Sequence, residues 1–169
     1  MNIEFDAYKQ KLNDCRPALD GLADSLNLEG MRNELERLHA MQEAPGFWDD
    51  PEKSQKIVVK TRQTESKIEH YEKMLSNWDD LMTICEMALE ENDDSMLEEL
   101  TAGYAKLEAD MEEARLLELK NLAGEQGVEL TYSLGLDQAY DISSPDSAVR
   151  ERGMEYLSAI MDRVALMGG

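Results

Sequence analysis

"IVVKTRQTESKIEHYEKMLSNWDDLMTICEMAL", residues 57–89, decides the fold. Ile57, Thr61, Thr64, Ile68, Tyr71, Leu75, Trp78, Met82, Cys85 and Leu89 alternate steps of four and three without a break. Such steps put every one of these side chains on one stripe of an α-helix, the a/d seam of a coiled coil. Thr61 and Thr64 make the first half of the seam less apolar than the second.

The same grammar extends outward from this run. On its N-terminal side Phe5, Tyr8, Leu12, Cys15, Leu19, Leu22 and Leu26 repeat at helical spacing, and after Asn27 the pattern resumes with Leu28, Met31, Leu35, Leu38 and Met41. Pro17 contradicts the first of these helices locally. A proline inside a helix removes a hydrogen bond and clashes with the preceding turn, which predicts a kink or a helix start there. On the C-terminal side a polar stop, residues 90–95, precedes Leu97, Leu100, Tyr104, Leu107, Met111 and Ala114. Ser95 with Glu98 three residues later has the form of a capping box. Short connections make neighbouring helices antiparallel. The expected architecture is therefore mainly α, an elongated antiparallel helical bundle or coiled coil.

Near residue 120 the pattern changes. In "GVELTYSLGL", residues 127–136, Val128, Leu130, Tyr132 and Leu134 alternate with Glu129, Thr131 and Ser133. Period two with β-branched and aromatic members predicts a strand over 128–134. A polar loop follows, and Ser144 as N-cap with Pro145 at the first position predicts a helix over 145–167 that Gly168 ends. The expected tail is a single βα unit. With no sheet to complete it, its strand edge is a candidate for pairing with a second copy, and helix 145–167 is expected to dock loosely or to pair with one.

The chain has 169 residues, with 37 acidic against 17 basic side chains and a formal net charge of −20. Phosphate contacts need local cations, so this balance argues against direct nucleic-acid binding and for basic protein partners. Cys15 and Cys85, and likewise His39 and His70, are isolated in the sequence, so neither a disulfide framework nor zinc spacing is present. With no long apolar run and no signal peptide, a cytoplasmic protein without membrane contact is expected. No catalytic residue, metal ligand or cofactor is expected either.

One short stretch stands apart from the heptads. "APGFWDDPEKSQKI", residues 44–57, breaks the helix at Pro45-Gly46 and restarts it at Pro51, with Asp49 or Asp50 as the cap. Phe47 and Trp48 fall just before that cap, where apolar side chains staple an incoming chain onto a bundle. They are also the candidate binding residues. With its preceding "LEGMRNELERLHAMQEA" and following "CEMALEENDDSMLEEL", this stretch resembles the N-terminal helical domain of the bacterial peptide chain release factor 2 family, over residues 5–118. That resemblance implies a helical module that lies near the ribosomal stalk base and performs no chemistry itself. The family's decoding Ser-Pro-Phe and hydrolytic Gly-Gly-Gln tripeptides are absent from residues 1–169.

Residues 118–169, above all "YDISSPDSAVRERGMEYL", resemble instead the second βα unit of the tagatose/psicose (allulose) 3-epimerase family, which are (β/α)₈ barrels. The resemblance implies that Ser133 and Gly135 are remnants of a sugar pocket, and the family's metal-binding and catalytic positions lie beyond this stretch. The chain is thus divided into a release-factor-like helical domain, 1–118, and a βα fragment, 119–169, as in a truncated or chimeric product. Three functions compete: a noncatalytic, ribosome-associated accessory domain, a generic coiled-coil interaction protein, and an inactive fragment of a metal-dependent ketose 3-epimerase. The Phe47-Trp48 element favours the first over the second, and the missing ligands and acid–base pair count against the third.

Overall fold

The computed structural model describes residues 2–91, 93–135 and 137–168, apart from the side chain of Asn2. Asn92, within the polar stop, therefore lies outside the described residues. Five α-helices occur among them: α1 (Asn2–Ser25), α2 (Leu28–Glu43), α3 (Pro51–Glu91), α4 (Leu97–Gln126) and α5 (Ser147–Met167). Three short 3₁₀ turns, Phe47–Asp49, Asp94–Met96 and Gln138–Tyr140, join them. The chain divides into two compact units, Met1–Met111 and Glu112–Gly169.

In the first unit α3, 41 residues long and so about 60 Å from end to end, is the spine. α1 and α2 run back along it in sequence, antiparallel to it, and Asn27 is the joint between them. Asn27 adopts the left-handed conformation (φ 51°), one of the few side chains to tolerate it, and its Oδ1 accepts from Gly30 N at 3.3 Å. α2 covers the first half of α3: Gln42 meets Thr61, His39 meets Glu65 and Arg32 meets Glu72. α1 covers the second half, where Trp78 Nε1 donates to Leu12 O at 2.7 Å and Lys9 pairs with Glu86. α4 then closes on α1 and α3. Tyr8 donates to Thr101 and packs edge-on to Tyr104, and Gly103 lies against Leu81.

This arrangement revises the seam. Thr61, Ile68, Tyr71 and Cys85 are buried as expected, but so are Met74, Leu81 and Ala88, whereas Leu75, Met82 and Leu89 are half-buried. Two helices bury one narrow stripe. Where α4 joins as a third, with Gly103 against Leu81, α3 must present a wider face. No helix starts at Pro17: α1 runs through it from Asn2 to Ser25. Leu12 and Leu19 on either side are fully buried, and that packing outweighs the lost backbone bond.

The second unit overturns the expected barrel fragment. Among the described residues there is no strand, and residues 128–135 carry no ladder partner. Alternation describes side chains, but a strand exists only when its N–H and C=O groups find another strand. Here the chain leaves α4 through Gly127 at φ 64°. Val128 N donates back to Ala123 O at 2.8 Å and Gly127 N to Gly124 O at 3.2 Å, a helix-terminating Schellman pair. Val128, Tyr132 and Leu134 are exposed. The expected pairing of strand edges between copies therefore loses its basis.

The following loop is shaped by local side-chain turns. Asp137 Oδ1 accepts from Ala139 N, Asp141 Oδ1 from Ser143 N, and Ser144 Oγ from Asp146 N. The cap of α5 is Asp146, whose Oδ1 accepts from Ala148 N at 2.9 Å, two residues later than the expected Ser144. α5 has partners within the chain. Arg163 pairs with Glu112, Lys120 donates to Leu166 O, Gly153 packs against the Tyr140 carbonyl, and the Tyr140 and Tyr156 rings stack.

Candidate binding surface at the α2–α3 turn

The Pro-Gly break makes a rigid corner. Gly46 sits at φ 79°, a backbone conformation that favours glycine. Phe47 N donates to Ala44 O and Asp49 N to Gly46 O, each at 3.1 Å, which winds residues 47–49 into a 3₁₀ turn. Asp50 Oδ1 accepts from Lys53 N at 3.1 Å, so Asp50 rather than Asp49 is the cap of α3, with Pro51 at its first position. Ser54 is 1% exposed; its hydroxyl reaches Phe47 O and also Asp50 O, the latter at 2.7 Å. A buried hydroxyl with two acceptors ties the turn to the helix that follows. This residue had no signal in the heptads, because serine reads as a surface position.

The two aromatic residues part company here. Phe47 is half-buried, whereas Trp48 is 69% exposed, with its ring edge-on to Phe47 at 4.8 Å between centroids. Phe47 can staple the turn, but Trp48 is presented to solvent. The other tryptophan behaves oppositely: Trp78 is fixed by its Nε1 bond to Leu12 O and by Arg16 stacked at 4.7 Å. A large apolar ring held outward on a rigid corner is the typical anchor of a protein interface.

Beside this corner Val59 is also exposed, in a shallow recess of about 470 Å³ on α3 lined by Glu52, Gln55, Lys56, Val59, Lys60 and Gln63. Lys60 reaches Glu34 on α2, which is also held by Arg37. The hydrogen bonds from Arg37 and then Lys60 pull the Glu34 carboxyl down to about 2. The thiols of Cys15 and Cys85 are pushed up, chiefly by burial, which suits packing rather than nucleophilic chemistry. His39 pairs with Glu65, while Nε2 of His70 is buried without a partner among the described residues. No group of three or more His, Cys, Asp or Glu side chains that could hold a metal is found among the described residues. Ser133 and Gly135 are both exposed in the loop after α4, with no strand end to aim them at a pocket.

A long helix lined by an interrupted antiparallel partner, with an aromatic corner between α2 and α3, defines an all-helical module rather than a barrel fragment. Residues 31–127 match the family model described as "PCRF domain", more than half of the chain, and the chain belongs to that family. It is similar to peptide chain release factor 2 of Lactiplantibacillus plantarum, 26% identical over 114 residues, covering 68% of this chain and 30% of that protein. Peptide chain release factor 2 of Acidothermus cellulolyticus is 30% identical over 116 residues, 69% of this chain and 31% of the relative. That of Neisseria gonorrhoeae is 26% identical over 133 residues, 77% of this chain and 36% of the relative. The chain thus spans about a third of the length of the curated relatives it matches. The ketose-epimerase resemblance finds no support among these proteins. No described helix is long and apolar enough to cross a membrane.

Proposed function

We propose that this chain is a release-factor-type module that docks on the ribosome in translation termination and performs no chemistry of its own. Trp48 is its principal contact residue, and Phe47 fixes the angle at which Trp48 is presented. The observation that carries the reading is the exposed Trp48 on a rigid corner within the span matched to the release-factor domain. A tryptophan left 69% exposed by its own fold gains most of its burial from a partner.

Co-sedimentation of the full chain with purified ribosomes tests this. Wild type is expected in the ribosomal pellet, and Trp48→Ala is expected to bind at least 10-fold more weakly with unchanged helicity, since loss of a buried anchor costs about 2 kcal/mol or more. The chain is also expected to release no peptide from stop-programmed ribosomes. A wild-type chain that stays in the supernatant, or stop-codon-dependent release above background, would overturn the reading.

A further inference from the structure

The net charge of −20 hides a local inversion. Within residues 53–67 there are five basic side chains, Lys53, Lys56, Lys60, Arg62 and Lys67, and one acidic side chain, Glu65. This is the first half of α3, the half that α2 covers. Its buried positions, Ser54, Thr61 and Ile68, mark the inward face. Lys53, Lys56, Lys60 and Lys67 follow one another at steps of three, four and seven, which on a helix stack them along a single flank. All four are exposed, and they span about 21 Å at the helical rise. Glu65 and Glu72 lie toward the opposite flank, where His39 and Arg32 of α2 engage them.

Of the four lysines, Lys60 is engaged by Glu34. Lys53, Lys56 and Lys67 make no ion pair among the described residues, in a chain where acidic side chains outnumber basic ones by 37 to 17. Glu52, one turn before Lys56, lines the recess on α3, so this flank sets four lysines against a single carboxylate, and that local excess of cations favours an anionic partner. The exposed Val59 lies next to Lys56 and Lys60 in the same recess, and Trp48 stands at the entry of the same helix.

We infer that this lysine flank of α3 binds the phosphate backbone of an RNA duplex. The inference rests on the ribosomal reading above and specifies RNA as part of the surface met there. It replaces the expectation, drawn from whole-chain charge, that nucleic acid is excluded. Whole-chain charge governs approach from a distance, but salt screens it beyond about 8 Å under physiological conditions. At contact the local cations decide.

Binding of the full chain to a fluorescein-labelled 20-base-pair RNA duplex, followed by anisotropy from 50 to 200 mM salt, tests the flank directly. Three free lysines predict a slope of log K against log salt of about −2.7, or about a 40-fold weakening over that range. The triple variant Lys53→Gln/Lys56→Gln/Lys67→Gln, which keeps Lys60 and its bond to Glu34, is expected to bind at least 10-fold more weakly at 50 mM salt and to lose most of the slope. Circular dichroism checks that its helices are intact. Equal binding by wild type and variant, or none by wild type at 50 mM salt, overturns the inference. Competition by poly-glutamate as effective as unlabelled duplex would assign the flank to an acidic protein and overturn the RNA assignment. Ribosome pelleting separates the two readings. If the triple variant pellets like wild type while Trp48→Ala does not, the lysine flank falls and the ribosomal docking stands. If wild type holds the duplex with the expected slope but does not pellet, the docking falls and the flank stands.

Discussion

The two units are built from the same residue palette but differ in what they bury. In the first, Phe5, Leu12, Leu19, Met74, Cys85, Leu100 and Leu107 are essentially inaccessible. In the second, the buried residues are small, Ala114, Ala123 and Gly153, while Met154 and Met161 on α5 are 60% and 69% exposed. Leu157, Ile160 and Val164 are only half-buried. Apolar area removed from water is the main stabilising term, so the first unit should dominate the stability of the chain. The second leans on local bonds instead, the side-chain turns at Asp137, Asp141 and Asp146. A helix with a good apolar pattern is therefore not yet a helix with a core.

The sharpest way to break this comparison is a matched pair of truncations. Leu107→Ala should cost about 3 kcal/mol, because it opens a cavity in a closed core. Leu157→Ala should cost less than half as much, since part of its surface already meets water. Chemical denaturation of both variants measures the difference, and equal losses would mean that the second unit is as tightly packed as the first.

A smaller effect is expected at the α2–α3 corner. Ser54→Ala removes the hydroxyl that reaches the Phe47 and Asp50 carbonyls and should cost about 1 to 2 kcal/mol. Trp48→Ala should change the denaturation midpoint little, as exposed substitutions stay within about 0.5 kcal/mol. A large loss at Trp48 would mean that it packs in solution as a staple after all, and would weaken its role as a contact residue.

The smallest effects are in the pH profile, and their signs differ. Glu34 is held down to about 2 from an ordinary 4.5, so its contribution to stability is present above about 4.5 and fades as pH falls toward 2. Tyr104 is pushed up to about 12, first by burial and then by Glu108. Its neutral form belongs to the folded state, so its contribution is present below 10 and fades as pH rises toward 12. Denaturation midpoints of Glu34→Gln and Tyr104→Phe across both windows check this. Glu34→Gln should flatten the acid limb and Tyr104→Phe the alkaline one.

The helices were legible because each carries its own pattern. Leu12 and Leu19 of α1, Ile68, Tyr71 and Cys85 of α3, and Leu100, Tyr104 and Leu107 of α4 were all expected inside, and all are buried. The caps were less legible. Several neighbouring polar side chains could serve at each helix start, and Asp93 rather than Ser95 accepts from the backbone before α4. The corner was half legible: Pro45, Gly46 and Pro51 announce a turn, but nothing in "GFWDDPEKS" says which of two adjacent rings turns inward.

What the sequence by itself determined are the features that depend on spacing along one chain: helix identity, the joint at Asn27, the break at Gly46, and the family to which residues 31–127 belong. What only the tertiary structure decided are the features that depend on a neighbour. Met74, Leu81 and Ala88 of α3 are buried, Leu81 against Gly103 of α4, Trp48 is left outside while Trp78 is taken in, and residues 128–135 are not a strand. The physical reason is common to all three. Periodicity fixes which side chains share a face, whereas burial and ladder pairing exist only between elements, and the number and placement of those partners is not written in any single segment.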